Sequence, residues 1–311
     1  MSTVLTNLKK TPSPRTQRLL ALILLLCQGG ITVTGSIVRV TGSGLGCNTW
    51  PQCHEGSLVP VRGAAPLVHQ AIEFGNRLLT FVLVAAVVAV FVGLVRAERR
   101  AELIAYALVS GLGVVLQAVI GGISVKLDLQ WWSVALHFLP SMVLVWVAAL
   151  LYVRVAEPDD VSPVRAYPRA ARWSAVVAAC AMAVVLVTGT MVTGAGPHAG
   201  DAEAGMSGRL DVDIDVMAHV HGYLMYAYLL CTFVTVVLLT RYRAPERARR
   251  AGLVLLGMIV VQAAIGIAQY RLGVPRWSVP MHIAMSSVVV ACTAFLYAHG
   301  LVRQEAPHRR P

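Results

Sequence analysis

The chain has 311 residues, of which 57% are hydrophobic and 13% charged, and its mean hydropathy is +0.69. Those proportions exclude a soluble globular domain and a disordered chain, because neither carries so little charge over so much apolar length. The formal net charge of +11 needs no nucleic-acid partner. Basic residues collected at one membrane face, next to anionic lipid, account for it.

Apolar runs long enough to cross a bilayer are predicted at 18–38, 67–95, 103–125, 132–153, 173–193, 214–240, 251–270 and 279–302. The first run lacks a small-residue exit site and reads as a retained helix. Lys9, Lys10, Arg15 and Arg18 precede it, and Arg96, Arg99 and Arg100 separate the second and third runs. Arg154, Arg165, Arg169 and Arg172 lie between the fourth and fifth, Arg241 to Arg250 follow the sixth, and Arg303, Arg309 and Arg310 close the chain. All these segments share one side, which the positive-inside rule makes cytoplasmic. The opposite loops are poorer in basic residues and include Asp201, Glu203, Asp211, Asp213 and Asp215. Both termini are therefore expected in the cytoplasm of a multi-pass plasma-membrane protein.

The polar, proline-bearing stretch from Glu157 to Pro168 is the seam of the chain. The expected organisation is a tail over 1–17, a first four-helix half over 18–155, a linker over 156–172, a second half over 173–302 and a tail over 303–311. An even number of spans in each half makes the halves parallel, related by an axis along the membrane normal. The expected fold is all-α, a polytopic membrane protein built as two tandem four-helix bundles by internal duplication. Sites in such bundles use inward-facing residues of neighbouring helices.

The first outer loop carries Cys47 and Cys53 on the oxidising side, with Trp50-Pro51 between them. A disulfide, a redox-active thiol pair and a metal clip recruiting His54 are all conceivable there. The loop lacks further ligands, which favours the disulfide. The second half has a shortened analogue without cysteines, Thr188-Gly189 through Gly196-Pro197-His198-Ala199-Gly200-Asp201. Glycines in both loops let backbone N–H groups approach an anion. Cys27, Cys180, Cys231 and Cys292 lie inside spans and read as small apolar residues.

One phrase is written twice. Gln117, Ile120, Gly121, Trp132 and His137 recur 145 positions later as Gln262, Ile265, Gly266, Trp277 and His282. The same offset places His221 opposite Asn76, Ala218 opposite Glu73 and Gly222 opposite Arg77. His221 and His282 then lie near the outer ends of two spans, where two neutral imidazoles suit axial ligation of a haem iron. A buried histidine can also serve only as a packing hydrogen-bond partner, but its recurrence at equivalent places favours ligation. No Cys-x-x-Cys-His occurs, so such a haem would lack thioether bonds. His219 points about 200° away from His221 and is expected to be structural.

The first half departs from this pattern. Asn76 is a poor iron ligand, so the site is expected to use His137 alone or a displaced His69, seven residues before Asn76. Glu73 lies one turn from both, with Arg77 four residues on. That pair can neutralise itself at the membrane edge, or it can move protons and stabilise charge beside an oxidisable substrate. Three classes stay open on the residues alone: an oxidase, a di-haem b-type cytochrome passing electrons to a quinone, and a parallel-repeat transporter. A transporter would bind no iron, and a cytochrome has less need of Glu73 and the cysteine loop.

The run Gly35-Ser36-Ile37-Val38-Arg39-Val40-Thr41-Gly42-Ser43-Gly44-Leu45, Trp50-Pro51-x-Cys53, Ile72-Glu73-x-x-x-Arg77 and Gly196-Pro197-His198-Ala199-Gly200-Asp201 resemble the haem A synthase family over about 18–302. The resemblance implies an eight-span, twofold-repeated oxidoreductase that converts haem O to haem A for cytochrome c oxidase by successive hydroxylations of one methyl group. It implies haem B as cofactor on His221 and His282, substrate haem on His137, and a catalytic role for Glu73. The family's cysteine pair falls on Cys47 and Cys53. Arg39, Arg77, Asn76 and His198 complete the expected substrate contacts, with His69 as an alternative iron ligand. Where this chain has Asn76 the family has a histidine, so one axial position is expected to be open or water-bound. Haem O is the expected partner, handed over by the haem O synthase, with a membrane electron acceptor that the residues do not identify. Lipid surrounds the protein, oligomerisation is possible, and no nucleic acid is expected.

Overall fold

The structure is a computed structural model that describes residues 11–198 and 208–303. Lys9, Lys10, Ala199, Gly200, Asp201, Glu203, Arg309 and Arg310, with most of both predicted tails, lie outside the described residues. Among the described residues, eight helices are long and apolar enough to cross a membrane. They are α1 (Pro14–Val40), α2 (Leu67–Arg96), α3 (Ala101–Lys126), α4 (Trp131–Arg154), α5 (Arg169–Ala195), α6 (Ile214–Arg241), α7 (Glu246–Arg271) and α8 (Ser278–Ala298).

Their ends follow local chemistry. Ser13 caps α1 by accepting from the Thr16 amide, and Asp213 caps α6 by accepting from Asp215 and Val216. Pro66, Pro168 and Pro245 immediately precede α2, α5 and α7, where a proline costs no helical hydrogen bond. The faces turned outward are apolar, with Phe81 and Leu112 each 71% exposed, as lipid contact requires.

Packing divides the helices into two rings. In the first, α1 lies against α2 and α4, and α3 against α2 and α4; in the second, α5 lies against α6 and α8, and α7 against α6 and α8. Thus α2 and α4 stand at opposite corners of one bundle, and α6 and α8 at opposite corners of the other. The rings join where α8 packs on α1 and α4, and α4 on α5. The join is glued by small and polar groups. Thr32 and Ser287 hydroxyls meet at 3.0 Å, and a side chain on Gly29 would come within 3.6 Å of Ser287.

The last helix ends at Ala298, short of the predicted 302, and the linker is not featureless. Leu301–Val302 (β2) pairs antiparallel with Val164–Arg165 (β1), and Gly300 lies against Tyr167, whose hydroxyl donates to Leu296 O at 2.7 Å. A residue with a side chain at 300 would meet Tyr167, so the helix turns out there into a strand pairing that hydropathy cannot register. The α2–α3 turn joins the same end: Arg99 and Arg100 both bind Asp159 at 2.7 Å, and Arg154 binds Glu157 at 2.8 Å.

Burial alone would raise the Asp159 carboxyl, but hydrogen bonds from Arg99 and Arg100 outweigh it and hold its pKa below the usual aspartate range. A depressed folded-state pKa adds stability above the unfolded value, and that stability is lost as pH falls through the folded one. Asp159→Asn should therefore cost about 1 kcal/mol near neutral pH, the upper range for a partly exposed pair. The difference from wild type should shrink as pH falls below the ordinary aspartate range, read by thermal unfolding in detergent.

Candidate functional site

His137, His221 and His282 lie within the first three turns of α4, α6 and α8, near one end of both bundles. Each ring lies against a glycine of a neighbouring helix. A Cβ on Gly121 would come 3.1 Å from His137 Cε1, one on Gly266 3.1 Å from His282 Cε1, and one on Gly189 3.2 Å from His221 Cε1. Bundles of this kind let a ring approach a helix axis only where the opposing residue lacks a side chain.

The repeated glutamines are the partners of the repeated histidines. The Gln262 amide nitrogen lies 3.1 Å from His282 Nε2 and 3.3 Å from Nδ1, and it donates to Ser286 Oγ at 2.8 Å. Gln262 Oε1 is buried and has no partner among the described residues. Gln117, with its amide nitrogen turned to α4 as its neighbours require, donates to His137 Nδ1 at 2.7 Å and to His137 O at 2.9 Å. Ser141 and Ser286 donate to the carbonyls of His137 and His282 at 2.9 and 2.8 Å. Both serines follow their histidine by four residues, so the repeated phrase extends to them.

His221 is held differently. Its Nδ1 lies 3.2 Å from Thr188 Oγ1, whose own proton goes to the Val184 and Val185 carbonyls. Nδ1 is thus the donor, which leaves the Nε2 lone pair to face a ligand. Seven residues along α6 and eleven along α8, Tyr228 and Thr293 hydroxyls meet at 2.6 Å and form a polar floor across the bundle. Offset equivalents in the first half are Leu83 and Ala148, both buried and apolar.

The first half repeats the Thr-Gly pair. Thr34 donates to Asn76 Oδ1 at 2.7 Å, at the place where Thr188 accepts from His221, while a Cβ on the adjacent Gly35 would meet nothing within 4 Å. Glu73 is 5% exposed. Its Oε2 accepts from the Cys47 amide at 2.6 Å and its Oε1 from Arg77 at 2.6 Å. Arg77 also donates to Cys47 O and Gln52 O, each at 3.1 Å. Cys47 and Cys53 form a disulfide, so the outer loop is clamped onto α2 through its own crosslink. Trp50 of that loop covers Gly122, next to the glycine under His137. The loop is therefore the roof of the first bundle.

Of the other expected contacts, Arg39 donates to His198 O at 2.7 Å and Thr193 O at 3.2 Å, and His198 Nε2 donates to Val274 O at 2.9 Å. These two residues knit the outer ends of the halves together. His69 lies two turns outside Asn76, and its backbone abuts Gly46. Structure shows no side-chain hydrogen bond for it among the described residues. His219 is exposed, bonded to Asp215 O and edge-on to Tyr270, away from His221 as its helical angle requires.

The architecture and these paired positions define a class: polytopic helical bundles that present imidazoles at facing corners near one membrane surface. Residues 18–294 match the COX15-CtaA family, cytochrome oxidase assembly proteins, and the chain belongs to that family, the haem A synthase family. It is 31% identical over 108 residues to the heme A synthase of Geobacillus kaustophilus, covering 34% of this chain and 32% of that protein. It is 30% identical over 145 residues to the heme A synthase of Listeria welshimeri, covering 45% of each. The chain thus matches less than half the length of these relatives. With its eight apolar helices, it is a multi-pass plasma-membrane protein.

The disulfide closes a short loop whose ordering is worth roughly 2 kcal/mol by loop entropy. Cys47→Ser with Cys53→Ser should therefore raise hydrogen exchange across the loop about 30-fold. The test is mass spectrometry of peptides spanning 44–56, with α6 as the unchanged reference.

Proposed function

We propose that this chain is a haem A synthase that oxidises one methyl group of haem O to a formyl group by successive hydroxylations, giving haem A for cytochrome c oxidase. The observation that carries this reading is asymmetry. Among the described residues, the first bundle carries a buried carboxylate, Glu73, and a crosslinked loop at the end where its histidine lies, whereas the second has His221 and His282 there and no buried acid.

The second bundle fits haem B. His221 and His282 would hold it, and both rings already rest on glycines. If one ring nitrogen of His282 held the iron, the other would carry the proton, and Gln262 Oε1, without a partner among the described residues, would be its acceptor once that amide turned over. Bound between two imidazoles, haem supplies one-electron transfer.

The first bundle takes the substrate haem on His137, whose Nδ1 would then carry the proton and donate it to the Gln117 amide oxygen once that amide turned over. The net change takes R–CH3 and water to R–CHO with four protons and four electrons; the electrons leave to a membrane electron acceptor, and Glu73 is the buried group we assign to accept protons as the C–H bonds break. Arg77 keeps that carboxylate from being an unpaired buried charge, which would cost 3–5 kcal/mol. The Cys47 amide fixes one oxygen and the Arg77 guanidinium the other, so the acid is aimed before substrate arrives. Trp50 and the crosslinked loop exclude water from the reacting edge. Arg39 and His198, at the outer seam, are the candidates for haem carboxylates.

His282→Ala should abolish the low-spin b-type haem spectrum of the purified protein, and a retained spectrum would sink the cofactor assignment. Glu73→Ala should leave that spectrum intact yet lower haem A output at least about 100-fold, the scale of a lost general base. Pigment extraction from cells supplied with haem O reads this, and normal haem A output defeats the catalytic role.

A further inference from the structure

The two bundles answer the same geometric problem with different side chains at one corner. In the second, Thr188-Gly189 of α5 supports His221: the hydroxyl meets Nδ1 and the glycine receives the ring. In the first, Thr34-Gly35 of α1 stands at the corresponding place, but its partner is Asn76. An asparagine ends one atom short of an imidazole's far nitrogen. The space a ring would fill over Gly35 stays clear of protein atoms to 4 Å.

Nor does another histidine supply the missing nitrogen. His69 is seven residues nearer the surface, about 10 Å along the helix. His54 has both ring nitrogens engaged, Nδ1 with Asn48 Oδ1 at 3.0 Å and Nε2 with Gln70 Oε1 at 2.9 Å. Gln70 is itself locked by Val61 and Ala65, so His54 cannot turn away without breaking that set.

We propose that the first bundle gives a haem iron one protein ligand, His137, and reserves the opposite axial position for a small exogenous ligand, water or a neutral diatomic, which the Asn76 amide addresses. The orientation of that amide is set by Thr34. The Thr34 hydroxyl has two acceptors in reach, Asn76 Oδ1 at 2.7 Å and Ile31 O at 3.1 Å. The shorter contact takes the proton to Oδ1, so the NH2 group is left over, and it meets no protein acceptor among the described residues. Asn76 is thus a hydrogen-bond donor over the iron rather than a weak ligand to it, and Thr34 is a positioning residue. The assignment rests on the first bundle being the substrate-haem site.

The test uses the full-length protein carrying both haems, with carbon monoxide as the probe. Reduced wild type should bind one carbon monoxide per chain, and the responding haem should be the one lost in His137→Ala. Its ferric form should be high-spin by paramagnetic resonance. Asn76→His should convert that haem to a low-spin form and weaken carbon monoxide binding at least about tenfold. The low-spin cofactor signal reports that the variant is folded. Thr34→Val should keep the spin state but speed carbon monoxide release about fivefold, the scale of one neutral hydrogen bond. A first-bundle haem that is low-spin and silent to carbon monoxide, or a spin state unmoved by Asn76→His, overturns the proposal. If that occurs while haem A is still produced, the functional reading stands and only the axial assignment falls. A chain that takes up no haem dependent on His137 overturns both.

Discussion

An imidazole turned into a lipid-embedded bundle has to be given room and a hydrogen-bond partner together, because neither water nor a mobile loop can supply them there. Each of the three inward histidines meets this demand with one glycine and one polar side chain drawn from its neighbours. Gly121 with Gln117 serves His137, Gly266 with Gln262 serves His282, and Gly189 with Thr188 serves His221. The glycine and its polar partner come from one helix in each case, so a single helix placement satisfies both needs. This explains why the repeated phrase begins on a glutamine twenty residues before its histidine: the loop between α3 and α4, or α7 and α8, brings the two back to one level.

The same constraint governs Glu73. A carboxylate 5% exposed at the membrane edge persists because it has two charge-bearing or polar donors, and both are tied to the outer loop. The loop in turn is held flat by its crosslink and by Trp50 on Gly122. Acid, guanidinium, loop backbone and disulfide are therefore one unit. Removing any member takes a partner from the others.

Much of this was legible in the residues. Hydropathy placed all eight spans, because lipid solvation leaves a uniform signal over some twenty residues. The Gln-to-His offset exposed the recurring site positions, and the spacing of Glu73 and Arg77 exposed their pairing. The serines at 141 and 286 were within reach, since they share the same offset. Thr34 and Thr188 were not, because their Thr-Gly pairs are 154 positions apart rather than 145, a shift introduced by the unequal outer loops. The β1–β2 pairing was illegible for another reason. Two residues on each side carry no periodicity, and what fixes them is the meeting of Gly300 with Tyr167.

Met142 and Ser287 are equivalent under the 145 offset, and they touch, with Ser287 Oγ 3.9 Å from Met142 Sδ. A residue can contact its own counterpart only beside the axis that relates the two halves. That axis therefore runs between α4 and α8, the helices whose central windows are 44% and 39% buried against 17–33% elsewhere. His137 and His282 lie on these same helices, each five residues before the axial contact, so the two sites share one wall. A change in that wall alters both sites together. A change on α2, which packs on α1 and α3 within its own bundle, alters one. Glu73 and Asn76, the two departures that separate the first site from the second, are both on α2. The fold thus keeps the two equivalent histidines at the shared wall and gathers the differences between the two sites on an outer helix.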